Sequence, residues 1–220
     1  MSEVDEAMQE GFQLGRPALV CRWRLAGARL PMANRHMRAL GERAVLGSRL
    51  SAQLLAWVKQ HIEWTLADGA AEHPDGVLML VVDEKGRAAM SVGPYEGLAS
   101  TTTEALVERA RASKVEALRT GVAPETLWAV SGDALVWGAA PQRPASATGS
   151  LMGDLARTLG IPVRRDDALA EEVAADPAAY EEVFLVSDEH GVVPARDASG
   201  ARALKFAQGY ERLLDRTASL

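Results

Sequence analysis

The 220-residue chain is 48% apolar and carries a formal charge of −6, enough to bury a core of its own as one large domain or two small ones. Its cations are spread along the chain with no basic stripe to track phosphates, which argues against a nucleic-acid partner. Cys21 is the only cysteine, so an intrachain disulfide and a thiolate zinc site are excluded, and the four histidines show no metal-ligand spacing. The first residues, Met1 to Glu10, are acidic and lack the apolar segment of a signal peptide. No apolar run is long enough to span a bilayer, so the expected location is cytoplasmic, with no membrane partner.

In chain order, Leu19 to Leu25 reads as a strand and Ala26 to Ala28 as a turn. Arg35 to Leu50 reads as helical. Ser51 to Leu66 places Leu54, Leu55, Val58, Ile62 and Leu66 on one stripe at helical spacing. The run Val77 to Asp83, the turn Glu84-Lys85-Gly86 and the run Arg87 to Val92 read as a hairpin. Gly93 to Gly97 looks like a joint between two halves, residues 1–97 and 98–220. Ser100 to Thr103 followed by Glu104 has the hydroxyls and early carboxylate of a helix start, and Gly121 stops that helix. A second hairpin spans Leu127 to Trp137, a loop Pro141 to Ala147, and a helix Leu151 to Leu159. Ala168 to Tyr180 reads as helical with a break near Pro177. A third hairpin turns at Asp188 to Gly191, and a helix covers Ala201 to Asp215. Tight hairpins interleaved with helices predict an α/β protein with mixed sheets rather than one doubly wound parallel sheet. Neither the dinucleotide nor the P-loop glycine pattern occurs.

Four local patterns, in order, cover almost the whole chain. They are Arg24-Leu25-Ala26-Gly27 with His36-Met37-Arg38-Ala39-Leu40; Lys114 to Gly121 ahead of Glu125-Thr126-Leu127-Trp128; Leu155 to Val163; and Glu182-Val183-Phe184-Leu185 running to Gly191-Val192-Val193-Pro194. Together they resemble the class IV (fold-type IV) aminotransferases, which include branched-chain aminotransferase and aminodeoxychorismate lyase. The resemblance implies two lobes, the second a compact, barrel-like mixed sheet. It also implies a pyridoxal phosphate site made of a Schiff-base lysine, a carboxylate on the pyridine nitrogen, and donors around the phosphate.

This chain departs from that site at each position. The lysine belongs near Thr103, where Thr101, Thr102, Thr103 and Glu104 supply none, and the only lysines are Lys59, Lys85, Lys114 and Lys205. Trp137 stands where the carboxylate is expected. The arginine of the family's helix-start motif falls at Ala39, with Arg38 adjacent, and the phosphate-binding threonine after the third hairpin's first strand falls at Asp188, beside Ser187. Thr148-Gly149-Ser150 matches the segment whose amides hold phosphate at a helix N-terminus, and hydroxyl capping explains it as well. Between Trp137 and the Leu151 helix, only a short loop replaces a strand and hairpin, so the architecture is a shortened one.

The expectation is a class IV-like protein without standard transamination and with no cofactor. It would bind a small anionic metabolite in a vestigial cleft lined by Arg38, Thr103, Trp137, Thr148, Gly149, Ser150, Ser187 and Asp188, or act as a non-catalytic homodimeric partner. The alternatives are an active class IV aminotransferase or lyase, and an unrelated α/β binding protein. Asp188, Glu189 and His190 read as exposed residues of a hairpin tip, Cys21 as inert packing, and Trp57 and Trp64 as core or a dimer face.

Overall fold

The computed structural model describes residues 13–219; Met1 to Glu10 lie outside them. Strand β1 (Pro17–Arg24) pairs antiparallel with β4 (Val77–Asp83), and β4 with β5 (Ala88–Gly93), giving a three-stranded sheet in the order β1-β4-β5. Alternation along β1 sends Leu19, Cys21 and Trp23 into a core shared with Leu78, Leu80 and Val82 of β4. Helix α1 (Ala33–Gly41) contributes Leu40 to this core, and α2 (Ala52–Gly69) contributes Val58 and Ile62. Ser51 caps α2 by accepting from the Leu54 N–H.

The helical reading of Arg35 to Leu50 is too long. The helix ends at Gly41, and a tiny hairpin follows, β2 (Ala44–Val45) and β3 (Ser48–Arg49). Its two turn residues, Leu46 and Gly47, both have positive φ, the geometry that matches the twist of a two-residue hairpin.

The second sheet has five strands in the order β10-β9-β6-β7-β8. They are β6 (Glu125–Ser131), β7 (Ala134–Trp137), β8 (Val163–Arg165), β9 (Glu182–Ser187) and β10 (Gly191–Pro194). All neighbours are antiparallel except β7 and β8, which run parallel, so the sheet is mixed. Both faces are covered. Leu127, Ala129, Val183 and Leu185 point to α3 (Thr103–Thr120) and α5 (Leu169–Ala175). Trp128, Val130, Phe184 and Val186 point to α4 (Ala147–Thr158) and α6 (Ala201–Ala218). A sheet buried on both sides explains why β6 and β9 read as continuous apolar runs. A 3-10 turn at Pro177–Ala179 follows α5.

The three long helices of this second sheet are closed at their N-termini by carboxylates from the stretch 182–197. Asp197 accepts from the Thr103 N–H and hydroxyl at α3, and Glu182 from the Arg202 and Ala203 N–H groups at α6. Asp188 does the same at α4. Each satisfies amides that have no partner within their own helix and sits at the positive end of its dipole.

Candidate functional site

The turn between β9 and β10 is the centre of the site. Its polar sequence, Asp188-Glu189-His190, reads as an exposed tip, but the structure wedges it between the two sheets. Strand β1 lies at the edge of the first sheet, and this turn bonds to it. The Arg24 N–H donates to the Asp188 carbonyl at 3.2 Å, and Arg22 grips Glu189 through two bonds of 2.6 Å. His190 faces Tyr95, with Nδ1 3.4 Å from the phenol oxygen. Its Nε2 lies 4.0 Å from Glu125 and 3.9 Å from Glu189, too far for a hydrogen bond. Burial lowers the His190 pKa, and the carboxylates of Glu189 and Glu125 offset part of that effect. With Glu189 held by Arg22 and Glu125 by Arg109, the group is a clasp between elements rather than a free acid–base pair.

Deeper in the wedge, Asp188 occupies the N-terminus of α4. Its Oδ1 accepts from the Thr148 N–H at 2.8 Å, and its Oδ2 accepts weakly from the Ala147 N–H at 3.4 Å. His36 Nδ1 stands 3.8 Å from Oδ2 and has no hydrogen-bond partner, nor does the Thr148 hydroxyl. Burial lowers the His36 pKa, with Asp188 pulling the other way. The side chains around it are closed off from solvent: Thr148 is 0% exposed, His36 2%, Asp188 3% and Trp137 5%. Trp137 fills the other side of the α4 N-terminus. Its indole stacks on Trp128 at 4.7 Å, carries the Arg165 guanidinium at 3.9 Å, and lies against Gly149 and Gly153.

The residues expected to share a cleft therefore divide. Trp137, Thr148, Gly149, Ser187 and Asp188 gather around the β9–β10 turn and the start of α4. Ser187 donates to Glu125 and accepts from the Glu189 and His190 N–H groups, which fixes the turn. Helix α4 begins at Ala147, four residues earlier than its apolar periodicity suggests, with Ser146 as its cap. Ser150 thus lies inside the first turn, donating to the Ala147 carbonyl and accepting from Arg35, which also holds Asp154. Two residues lie elsewhere. Arg38 is exposed on α1, because the helix turns Ala39 inward in its place. Thr103 sits at the start of α3, bonded to Asp197, beside an open depression of about 670 Å³ also lined by Glu104, Glu108 and Tyr180. Sequence reasoning missed His36 as a site residue, along with Arg24, whose guanidinium lies 3.4 Å above the Tyr95 ring. The burial of Cys21, which pushes its thiol to about 11, agrees with an inert role. No cluster of metal-ligating side chains occurs among the described residues, and no helix there is long and apolar enough to cross a membrane.

No model of a known protein family matches the sequence, and no curated protein does. Solved structures do match in fold. A chain from Thermotoga maritima assigned as a branched-chain amino acid aminotransferase is 14% identical, with 96% of this chain and 88% of that one covered and a TM-score of 0.59. A chain from Legionella pneumophila assigned as 4-amino-4-deoxychorismate lyase is 12% identical, with 92% and 96% covered and a TM-score of 0.58. A hypothetical aminotransferase from Mycobacterium tuberculosis, in its PLP-bound form, is 14% identical, with 94% of each chain covered and a TM-score of 0.56. The fold is therefore that of the class IV aminotransferases, in a mixed α/β, shortened form.

The residues present do not fit pyridoxal phosphate. An aldimine needs a lysine, and Lys59, Lys85 and Lys205 are exposed on α2, the β4–β5 turn and α6. Lys114 is held on α3 by the Asp167 carbonyl and carboxylate. Trp137 brings an indole and not a carboxylate to this place, and the amides at the start of α4 already face an anion.

Proposed function

We propose that this chain is a class IV-fold protein that has left pyridoxal phosphate transamination and acts as a non-catalytic partner, pairing with a second copy of itself. The single observation that carries the reading is the placement of the four lysines, none of which is among the side chains gathered at Trp137, Thr148 and Asp188. The burial of those side chains argues against a metabolite seated there in the folded protein, and favours work done at the surface.

The purified protein is expected to be colourless, and added pyridoxal phosphate to leave it on desalting. Borohydride treatment followed by peptide mapping checks this directly. A stable yellow species fixed to one lysine would restore the active-enzyme reading. With four lysines in the chain, the attachment point would be unambiguous.

Self-association is expected through the outer surface of α2. Trp64 is 55% exposed there, next to a stack in which His61 lies 4.0 Å from Trp57 and 4.9 Å from Trp64. An aromatic of this size left in water is typical of interfaces. Light scattering at micromolar concentration should give a dimer mass for the native chain and a monomer mass for Trp64→Glu. A monomeric native chain removes this part of the proposal.

A further inference from the structure

The start of α4 has more hydrogen-bond donors than its occupant uses. Asp188 makes one good bond, to the Thr148 N–H, and one long one, to the Ala147 N–H. The Thr148 hydroxyl and His36 Nδ1 are both buried beside it without partners. The His36 ring nitrogen faces the carboxylate at 3.8 Å, beyond bonding range. Two amides and the His36 ring nitrogen face the carboxylate at the positive end of a twelve-residue helix. A planar carboxylate with two oxygens underfills that set. A tetrahedral anion with three terminal oxygens matches it, and helix N-termini favour such groups.

We infer that the N-terminus of α4 is a phosphate seat which the protein fills with its own Asp188 side chain, so that phosphate and phosphomonoesters are shut out of the native chain. Asp188 is a tethered ligand. It gives the helix a counter-charge, and its negative charge repels a second anion at the same place. His36 is the positioning residue on the far side of the seat, supplying a donor that the tethered carboxylate leaves unused. The inference deepens the reading of a chain without its cofactor, but the two fail separately. Phosphate uptake by the native protein overturns the self-filled seat and leaves the lysine argument intact. Borohydride fixation overturns the lysine argument and leaves the seat to be tested by inorganic phosphate alone.

The test is equilibrium dialysis with radiolabelled inorganic phosphate, together with Tm measured in phosphate and in chloride at matched ionic strength. The native chain should retain no phosphate and show the same Tm in both salts. Asp188→Ala should bind one phosphate per chain, with Tm rising as phosphate is added. Adding His36→Gln to that variant should weaken binding by about tenfold, the worth of one charge-assisted hydrogen bond. Native binding equal to that of Asp188→Ala, or no binding by the variant, overturns the inference. If Asp188→Ala does not fold, Asp188→Ser carries the same titration. Its side chain is one bond shorter and uncharged, which leaves the helix amides open, so phosphate should raise its Tm, and a flat response overturns the inference there too.

Discussion

Trp128→Ala is expected to destabilise the protein by about 3–5 kcal/mol, the range for emptying a fully buried aromatic site. Trp128 is 0% exposed and lies in β6 between Trp137, stacked at 4.7 Å, and Phe184 at 6.2 Å. Its indole N–H donates to the Thr126 hydroxyl, so truncation also leaves a buried hydroxyl without that donor. Neighbours cannot collapse into the gap, because the sheet fixes Phe184 directly opposite Trp128. Such a loss is a large share of the whole stability of a typical domain. Urea titration followed by far-ultraviolet circular dichroism reads the change. A midpoint within experimental error of the native one would show that the aromatic stack is not a structural keystone.

Gly191→Ala should cost about 3 kcal/mol or more, combining the strain of a left-handed residue with a steric clash. Gly191 opens β10 with φ of +70°, and a Cβ there would lie 2.3 Å from a ring carbon of Tyr210. Tyr210 is buried in the second core and cannot swing away freely. The clash separates from the backbone strain in a double variant. Gly191→Ala with Tyr210→Ala should lose less than the sum of the two single losses, because the second change removes what the first collides with. Strict additivity in denaturant titrations would place the cost in the backbone alone. The same substitution should loosen the turn that carries Asp188, since Gly191 pairs with Ser187 at the base of that turn.

Much of the fold could be read from local pattern. The paired apolar runs Val77 to Asp83 and Arg87 to Val92, with Gly86 between them, announce a hairpin by composition alone. Thr102 and Gly121 mark both ends of α3, and the structure uses the first as a cap and the second as a stop. The parallel strand β8 was not legible. It has three residues, two of them arginines, and only its place beside β7 makes it a strand. The hairpin β2–β3 was hidden because Ala44, Val45 and Leu46 suit a helix as well as a strand. The site was legible only in part. Asp188 departs from the resembled motif, but its local sequence predicts an exposed turn. The burial of the turn is decided by the helix amides that bond Asp188 and by Arg22, which bonds Glu189, and no window of sequence contains both. Adjacency to Ala39 points to Arg38 as a site residue, but a single residue of helical rotation, about 100°, puts it in solvent.

The carboxylates at the three helix N-termini also govern the order in which the second sheet can assemble. The bond from Thr103 to Asp197 closes a span of 94 residues, that from Thr148 to Asp188 one of 40, and that from Ala203 to Glu182 one of 21. Helices α3 and α4 therefore leave the ribosome well before the ribbon that anchors them, and until it arrives their first amides have only the hydroxyl caps of Thr102 and Ser146. Loop closure over such spans is slow, and the reward arrives only when β9 has paired with β6. The second sheet and its helices are therefore expected to form and unfold together as one cooperative unit.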